Sequence, residues 1–233
     1  MKMKEKGYAD VLNSDIQSAE SSLCEKDSVC RECESFSYPL MEQFLSLQGE
    51  GFNTGKAAYF IRLAGCNVRC DFCDVKQSWN VADRPLASVG SIVDNARKHN
   101  AVNAVVTGGE PLLYDLNPLT RALKAEGICT WLETSASKPL SGIWDWICIS
   151  PKTKRPPLEE NMIYADELKV VIRDESDFSF AELYASKTKK GCMLYLQAEW
   201  ESEKKVMKSI IDYIEHHPIW RLSLQTHKYL DIR

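Results

Sequence analysis

Residues 57–73 read Ala-Ala-Tyr-Phe-Ile-Arg-Leu-Ala-Gly-Cys-Asn-Val-Arg-Cys-Asp-Phe-Cys. The first seven, Ala57 to Leu63, form a short run of mostly apolar side chains and read as a buried strand. Behind them come Cys66, Cys70 and Cys73 on one loop. Thiolates are the usual ligands of iron–sulfur clusters. Three thiolates this close hold three corners of a four-iron cube and leave the fourth iron open to a small chelating molecule. The other readings are a zinc site short of one ligand, or chance spacing. Structural zinc sites normally close with four protein ligands, and no nearby His or fourth Cys completes such a set.

Outward from this stretch, strands and helices alternate. Val89, Ile92, Val93 and Ala96 recur at helical spacing, with Ser88 placed as the N-cap. Val102–Val106 reads as a strand and Leu116–Ala125 as a helix ended by Gly127. Ile128–Leu132, Trp146–Ile149, Leu168–Ile172 and Met193–Leu196 read as further strands. Ser202–His216 is an amphipathic helix carrying Val206, Ile210, Ile211 and Ile214, with Pro218 close behind. Such alternation implies parallel βαβ units in an α/β fold. Sites in these folds gather at the C-terminal ends of the strands, and the cysteine loop lies just past one of them.

The whole chain has 233 residues, enough for one domain with a sizeable core. An apolar fraction of 44%, a charged fraction of 27% and a net charge of −4 suit a globular protein and suggest no nucleic-acid or lipid surface. No apolar run reaches the length of a membrane span, and the N-terminus lacks the apolar segment of a signal peptide. A cytoplasmic location is expected, where thiols stay reduced and nine cysteines point to metal chemistry rather than disulfides. Residues 1–36 are polar, rich in Ser, Glu, Lys and Asp, and read as a mobile extension preceding a domain at 37–233. Cys30 and Cys33 have metal-like spacing there, with Cys24 nearby, but no fourth ligand is evident.

A second motif, Thr107-Gly108-Gly109-Glu110-Pro111, follows the strand at Val102–Val106. Its glycines allow close backbone approach to a ligand, and its carboxylate is suited to an ammonium group. Taken alone it is also an ordinary strand-to-helix turn. With Cys66-x-x-x-Cys70-x-x-Cys73 after the first barrel strand, the pair resembles the signature of the radical S-adenosylmethionine (SAM) superfamily. Further segments narrow the likeness: Leu47-Gln48-Gly49-Glu50-Gly51, Glu133-Thr134-Ser135, Ser150-Pro151-Lys152, Leu168–Ile172, and the tail from Arg221 to Arg233 with Gln225, Thr226, His227 and Lys228. Their order resembles the 7-carboxy-7-deazaguanine synthase family over about residues 38–233.

That resemblance implies a shortened, incomplete radical SAM (β/α) barrel with parallel strands. It implies a radical ring contraction of 6-carboxy-5,6,7,8-tetrahydropterin to 7-carboxy-7-deazaguanine with release of ammonia, for queuosine-type 7-deazapurines. The implied cofactors are a 4Fe–4S cluster on Cys66, Cys70 and Cys73, SAM, and Mg²⁺. The implied partners are the pterin, an electron donor such as flavodoxin or ferredoxin, and a second copy in a homodimer, with no nucleic acid or membrane. By motif, Phe72, Cys73, Asp74, Gly109, Ser150, Pro151, Lys152 and Gln197 should contact SAM. Leu47, Gln48, Gly49, Glu50, Arg62, Thr107, His227 and the terminal carboxylate of Arg233 should bind substrate.

Two positions depart from the family pattern. Gln197 is followed by Ala198 and Glu199 rather than Pro. Cys73-Asp74 is followed by Val75, where many members carry a Thr whose hydroxyl holds Mg²⁺. The plainer alternatives are a structural ion pair for Arg62 and a satisfied core or interface histidine for His227. Cys129, Cys148 and Cys192 sit in apolar strand patterns and read as core residues. His99, His216 and His217 read as helix-end residues. Two other functions remain to be weighed: a radical SAM activase acting on a partner protein, which the Gln48–Gly51 loop and the tail argue against, and a non-catalytic metal-binding adaptor, which the full motif set argues against.

Overall fold

A computed structural model describes residues 36–82 and 84–233. The expected N-terminal extension, with Cys24, Cys30 and Cys33, lies outside the described residues apart from Phe36.

Alternation within the strands sets the architecture. In β1 (Ser37–Leu47) and β2 (Ala57–Leu63) the chain forms an antiparallel hairpin, and β3 (Leu86–Ser88) adds antiparallel to the outer side of β1. The rest is parallel: β4 (Asn103–Gly108), β5 (Cys129–Thr134), β6 (Trp146–Ile149), β7 (Glu167–Ile172), β8 (Met193–Ala198) and β9 (Trp220–Ser223). The nine strands run in the order β3-β1-β2-β4-β5-β6-β7-β8-β9. The order has two ends, so the sheet is an open, incomplete barrel, as the motifs led one to expect.

Tyr59, Ile61 and Leu63 of β2, Ala104 and Val106 of β4, and Leu168, Val170 and Ile172 of β7 point into one hydrophobic core. Their neighbours in sequence, Phe60 and Arg62, Val105 and Thr107, and Lys169 and Val171, line a cleft on the other face. This is the period of two that a strand imposes. Four helices close the core side or follow it: α1 (Val89–Lys98), α2 (Asn117–Ala125), α3 (Ser176–Ala185) and α4 (Glu203–His216). Ser88 caps α1 as expected, its hydroxyl accepting from Ser91 N at 3.2 Å. Ile92, Leu119 and Leu123 are fully buried between α1, α2 and the sheet, each contributing roughly 1.5–3 kcal/mol. A last short helix, α5 (Thr226–Tyr229), folds back over the cleft.

The rings of His99, His216 and His217 cap the turns beneath them through backbone oxygens at 2.7–2.9 Å. Cys148 is buried and Cys192 half-buried, but Cys129 is exposed. The expectation of a core position fails for Cys129 because it opens β5 on the face it shares with Trp131 and Glu133, opposite the face that carries Leu132 into the core.

Candidate active site

The parallel strands deliver their C-terminal ends to one cleft of about 670 Å³. The loop after β2 carries Cys66, Cys70 and Cys73, and all three line it. Arg69, with φ +52°, turns the backbone between the first two thiols. Burial pushes the Cys70 thiol up, Cys73 and Cys66 push the same way, and Lys152 and Lys154 oppose them. Among the described residues no three such groups converge on a single ion; the ligands of a cuboidal cluster attach to three different irons and stand apart. The set of three thiols on one cleft wall fits the donors of a 4Fe–4S cluster with one open iron.

Close packing holds this loop against the second motif. A Cβ on Gly109 would fall 2.3 Å from Gly65 O and 2.6 Å from Cys66 Cβ. Gly108 has φ +152° and would meet Leu63 O at 2.2 Å, so glycine is required at both places. Glu110 N–H donates to Gly65 O at 2.8 Å. The Glu110 side chain departs from expectation: it does not line the cleft but turns inward. It accepts from Leu112 N at 3.0 Å, Thr134 Oγ1 at 2.5 Å, Ser135 N at 2.9 Å and Ser135 Oγ. These donors occupy the carboxylate, which fastens β4 to the end of β5 instead of meeting an ammonium group.

At the other end of the cleft stands a buried charge cluster. Lys169 Nζ lies 2.7 Å from Glu50 Oε2 and 3.0 Å from Glu133 Oε2, and Gln48 Nε2 donates to Glu133 Oε1 at 3.1 Å. Burial pushes the Glu50 carboxyl up, but Lys169, Gln225 and His227 together outweigh it and hold it down to about 2. Burial likewise pushes Lys169 down, and the surrounding Cys148 and carboxylates of Glu133, Glu50 and Glu167 raise it well above the usual ammonium value. Beneath, Glu167 Oε2 accepts from Phe52 N at 3.2 Å and Trp146 Nε1 at 3.0 Å, while Oε1 has no hydrogen-bond partner among the described residues. Burial raises its pKa above the usual carboxylate value, against the pull of Lys169.

The tail completes the wall. Thr226 N and Oγ1 both donate to Gly49 O, at 2.9 and 3.0 Å, and Gln225 Nε2 donates to Glu50 Oε1 at 2.9 Å. The His227 ring packs where a Gly49 side chain would stand, 2.2 Å from the ideal Cβ. Burial lowers the His227 pKa, with Glu50 pulling the other way. Lys228 Nζ reaches Asp74 Oδ2 at 3.1 Å.

The residues expected to hold the cluster, SAM and substrate all line this one cleft except Pro151, which is buried beside Ser150 and Lys152; Glu110, the carboxylate expected to meet an ammonium group, does not line it either. Arg62 lines it with Nε already paired to Glu42 at 2.8 Å, and the Arg233 guanidinium shares that carboxylate. The backbone oxygen of Arg233 accepts from Ser46 Oγ at 2.6 Å. Gln197 Oε1 accepts from Ser223 Oγ at 2.7 Å. Glu133 and Lys169 sat in quoted segments without a role; a lone lysine in the apolar run Leu168–Ile172 was the signal. Glu42, Trp200 and Gln225 carried no such mark.

Residues 60–150 match the Radical SAM superfamily. The 7-carboxy-7-deazaguanine synthase of Flavobacterium psychrophilum is 51% identical over 194 residues, covering 83% of this chain and 92% of that protein. The chain belongs to the 7-carboxy-7-deazaguanine synthase family. The synthase of Synechocystis sp. is 48% identical over 197 residues, covering 84% of this chain and 94% of the other. The crystal structure of QueE from Escherichia coli superposes with a TM-score of 0.75 at 29% identity, covering 85% of this chain and 98% of that one. Radical SAM membership implies a 4Fe–4S cluster and SAM, and the three cleft thiols are the donors that fit. The cleft has a thiol end at Cys66–Cys73 and a polar end at Gln48–Glu50, Glu133 and Lys169.

Proposed function

We infer that this cleft performs the radical ring contraction of 6-carboxy-5,6,7,8-tetrahydropterin to 7-carboxy-7-deazaguanine, releasing ammonia, on the route to 7-deazapurines such as queuosine. The observation that carries the reading is the shared cleft: the cysteine loop and the Glu50–Lys169–Glu133 cluster open onto one volume of about 670 Å³. The cluster and SAM, when bound, supply one-electron bond cleavage and hydrogen-atom abstraction.

The chain's own residues bind and orient. Cys66, Cys70 and Cys73 are proposed to hold three irons. Phe72, Asp74, the Gly109 backbone, Ser150, Lys152 and Gln197 are proposed to line the SAM end, with Pro151 supporting from behind. Lys152 Nζ is fixed by Ser150 O at 2.8 Å and Ser150 Oγ at 2.5 Å. At the polar end, Glu50 and Glu133 accept N–H groups of a pterin ring, and Lys169 aims both carboxylates and holds Glu50 ionised. Leu47, Gln48, Gly49, Thr107 and His227 frame the same end. Arg62 and Arg233, drawn together by Glu42, present guanidinium edges suited to a substrate carboxylate.

Mg²⁺ has few protein ligands here. Val75 lines the cleft without an oxygen, and Asp74 is held by Lys228. A cytoplasmic location, a flavodoxin or ferredoxin donor and a homodimer are proposed on the family resemblance; no described helix is long and apolar enough to cross a membrane.

The test is direct. Anaerobically reconstituted protein, given SAM, a low-potential reductant and 6-carboxytetrahydropterin, should form 7-carboxy-7-deazaguanine detectable by mass spectrometry. Iron-loaded protein that cleaves SAM without forming this product would overturn the reading.

A further inference from the structure

Lys228 touches three separate segments. Its ammonium lies 3.1 Å from Asp74 Oδ2, immediately after the third cysteine of the cluster loop. It stands 4.9 Å from the ring centroid of Trp200, in the loop between β8 and α4. It also donates to Gln225 Oε1 at 3.2 Å, and Gln225 in turn donates to Glu50 Oε1. A continuous polar chain thus runs from Asp74 through Lys228 and Gln225 to Glu50 and Lys169. It joins the cluster end of the cleft to its polar end.

Stability does not explain this contact. Asp74 is 55% exposed at its side chain, and ion pairs of that kind contribute little to folding. The tail has other anchors: Thr226 on Gly49, Ser46 on Arg233, and the Trp200 and Tyr229 rings at 5.4 Å. A helix as short as α5 has no stability of its own, and those anchors hold it without the lysine charge. What Lys228 supplies is a tie, through Gln225, between the loop that carries the thiols and the loop that carries Glu50.

We propose that Lys228 is a positioning residue that holds the cysteine loop and the Gln48–Gly51 loop in register, so that hydrogen abstraction falls on the bound substrate. This rests on the functional reading above. Reaction geometry tolerates little error, and a displacement near 1 Å can cost about 100-fold in rate. Loss of register should therefore uncouple SAM cleavage from product formation rather than stop it.

The experiment compares native protein with Lys228→Met, Lys228→Gln and Lys228→Arg, all reconstituted. Four quantities are read: iron per chain, the change in the reduced-cluster electron paramagnetic resonance signal on adding SAM, 5′-deoxyadenosine formed per product, and hydrogen exchange of residues 226–232 in metal-free protein. The Met and Gln variants should bind iron and SAM normally, yet form about 10-fold more 5′-deoxyadenosine per product, with exchange several-fold faster. The Arg variant should restore coupling. Native coupling in the Met and Gln variants overturns the proposal. So does loss of the cluster in both, because Lys228 would then support the fold of the loop and not its register. Absence of product from native protein would instead count against the functional reading.

Discussion

Lys169 Nζ stands 2.7 Å from Glu50 Oε2, with both groups inside the cleft and Glu133 3.0 Å from the same ammonium. Removing one partner of such a pair leaves a buried charge uncompensated, at a cost of about 3–5 kcal/mol. Lys169→Met should therefore destabilise the protein by about that amount in urea denaturation. The pH dependence has a definite sign. Glu50 is depressed from 4.5 to about 2 in the fold, so its contribution is complete above pH 4.5 and is lost as pH falls toward 2. About 3 kcal/mol should disappear over that window, and the loss should be much smaller in Lys169→Met. A native protein whose stability is flat across that window would contradict the pairing.

Glu167 predicts the opposite sign. Its pKa is raised by burial, and Oε1 has no hydrogen-bond partner among the described residues. A raised carboxyl favours folding at low pH and loses that contribution as pH climbs through its folded value. Glu167→Gln should thus leave stability nearly unchanged at pH 4 and raise the melting temperature by about 2–4 °C at pH 8, the shift for about 1 kcal/mol in a chain of this length. A lower melting temperature at pH 8 would show that Glu167 is paired in a way its surroundings do not suggest.

Glu110 is expected to matter for folding rather than for ligand affinity. Glu110→Ala strands the donors of Leu112, Thr134 and Ser135 in a buried site. Each unsatisfied buried donor costs about 1–3 kcal/mol, so the variant should melt at least 10 °C lower or fail to accumulate. Glu110→Gln keeps an acceptor for part of the set and should fall between. A stable Glu110→Ala protein with weakened SAM binding would restore the reading of this residue as a ligand contact.

The same residue shows where sequence legibility ends. The strand at Ala57–Leu63, the parallel units behind it and the cysteine loop were readable because period-two patterning and thiol spacing are local signals. β1 was missed, since Pro39 and the polar Glu42 and Gln43 interrupt the apolar pattern of Ser37–Leu47. α3 carries no sequence signal because its apolar residues do not gather on one face, and β9 carries none because its buried Trp220 and Ser223 flank exposed Arg221 and Leu222, without alternation or an apolar run. The motif Gly108-Gly109-Glu110 located the cleft wall, but not which way the carboxylate points: that depends on Thr134 and Ser135, 24 and 25 residues away. Lys228 and Gln225 act across comparable or longer separations, and no local pattern marks them.

Gly109→Ala should separate cluster assembly from folding. The added methyl group would lie 2.6 Å from Cys66 Cβ and 2.3 Å from Gly65 O, so the cysteine loop must move. The φ of Gly109 imposes no strain on alanine, and the core lies elsewhere. Far-ultraviolet circular dichroism should be native, while reconstituted iron should fall to about half or less of the native content, an order-of-magnitude expectation for a shifted ligand. Full iron loading in the variant would mean that the loop adjusts more readily than its packing indicates.

Val75 sets the last expectation, for Mg²⁺. This ion requires oxygen ligands in near-octahedral geometry and gives up its waters reluctantly. Val75 lines the cleft where a hydroxyl would serve, and its own carbonyl is occupied by Ser78 N at 3.0 Å and Ser78 Oγ at 2.7 Å. The Ser78 hydroxyl, buried and turned to that carbonyl, does not replace the missing ligand. Asp74 precedes Val75 and carries a carboxylate, and recruiting it would weaken its pair with Lys228. Stimulation by Mg²⁺ should therefore be weak or absent in the native protein and stronger in Val75→Thr, whose hydroxyl restores one ligand beside those waters. Titration of Mg²⁺ into protein freed of divalent ions, followed by turnover and by calorimetric binding, distinguishes the two. Tight, saturable dependence in the native protein, unchanged by Val75→Thr, would show that the ion is held without this position.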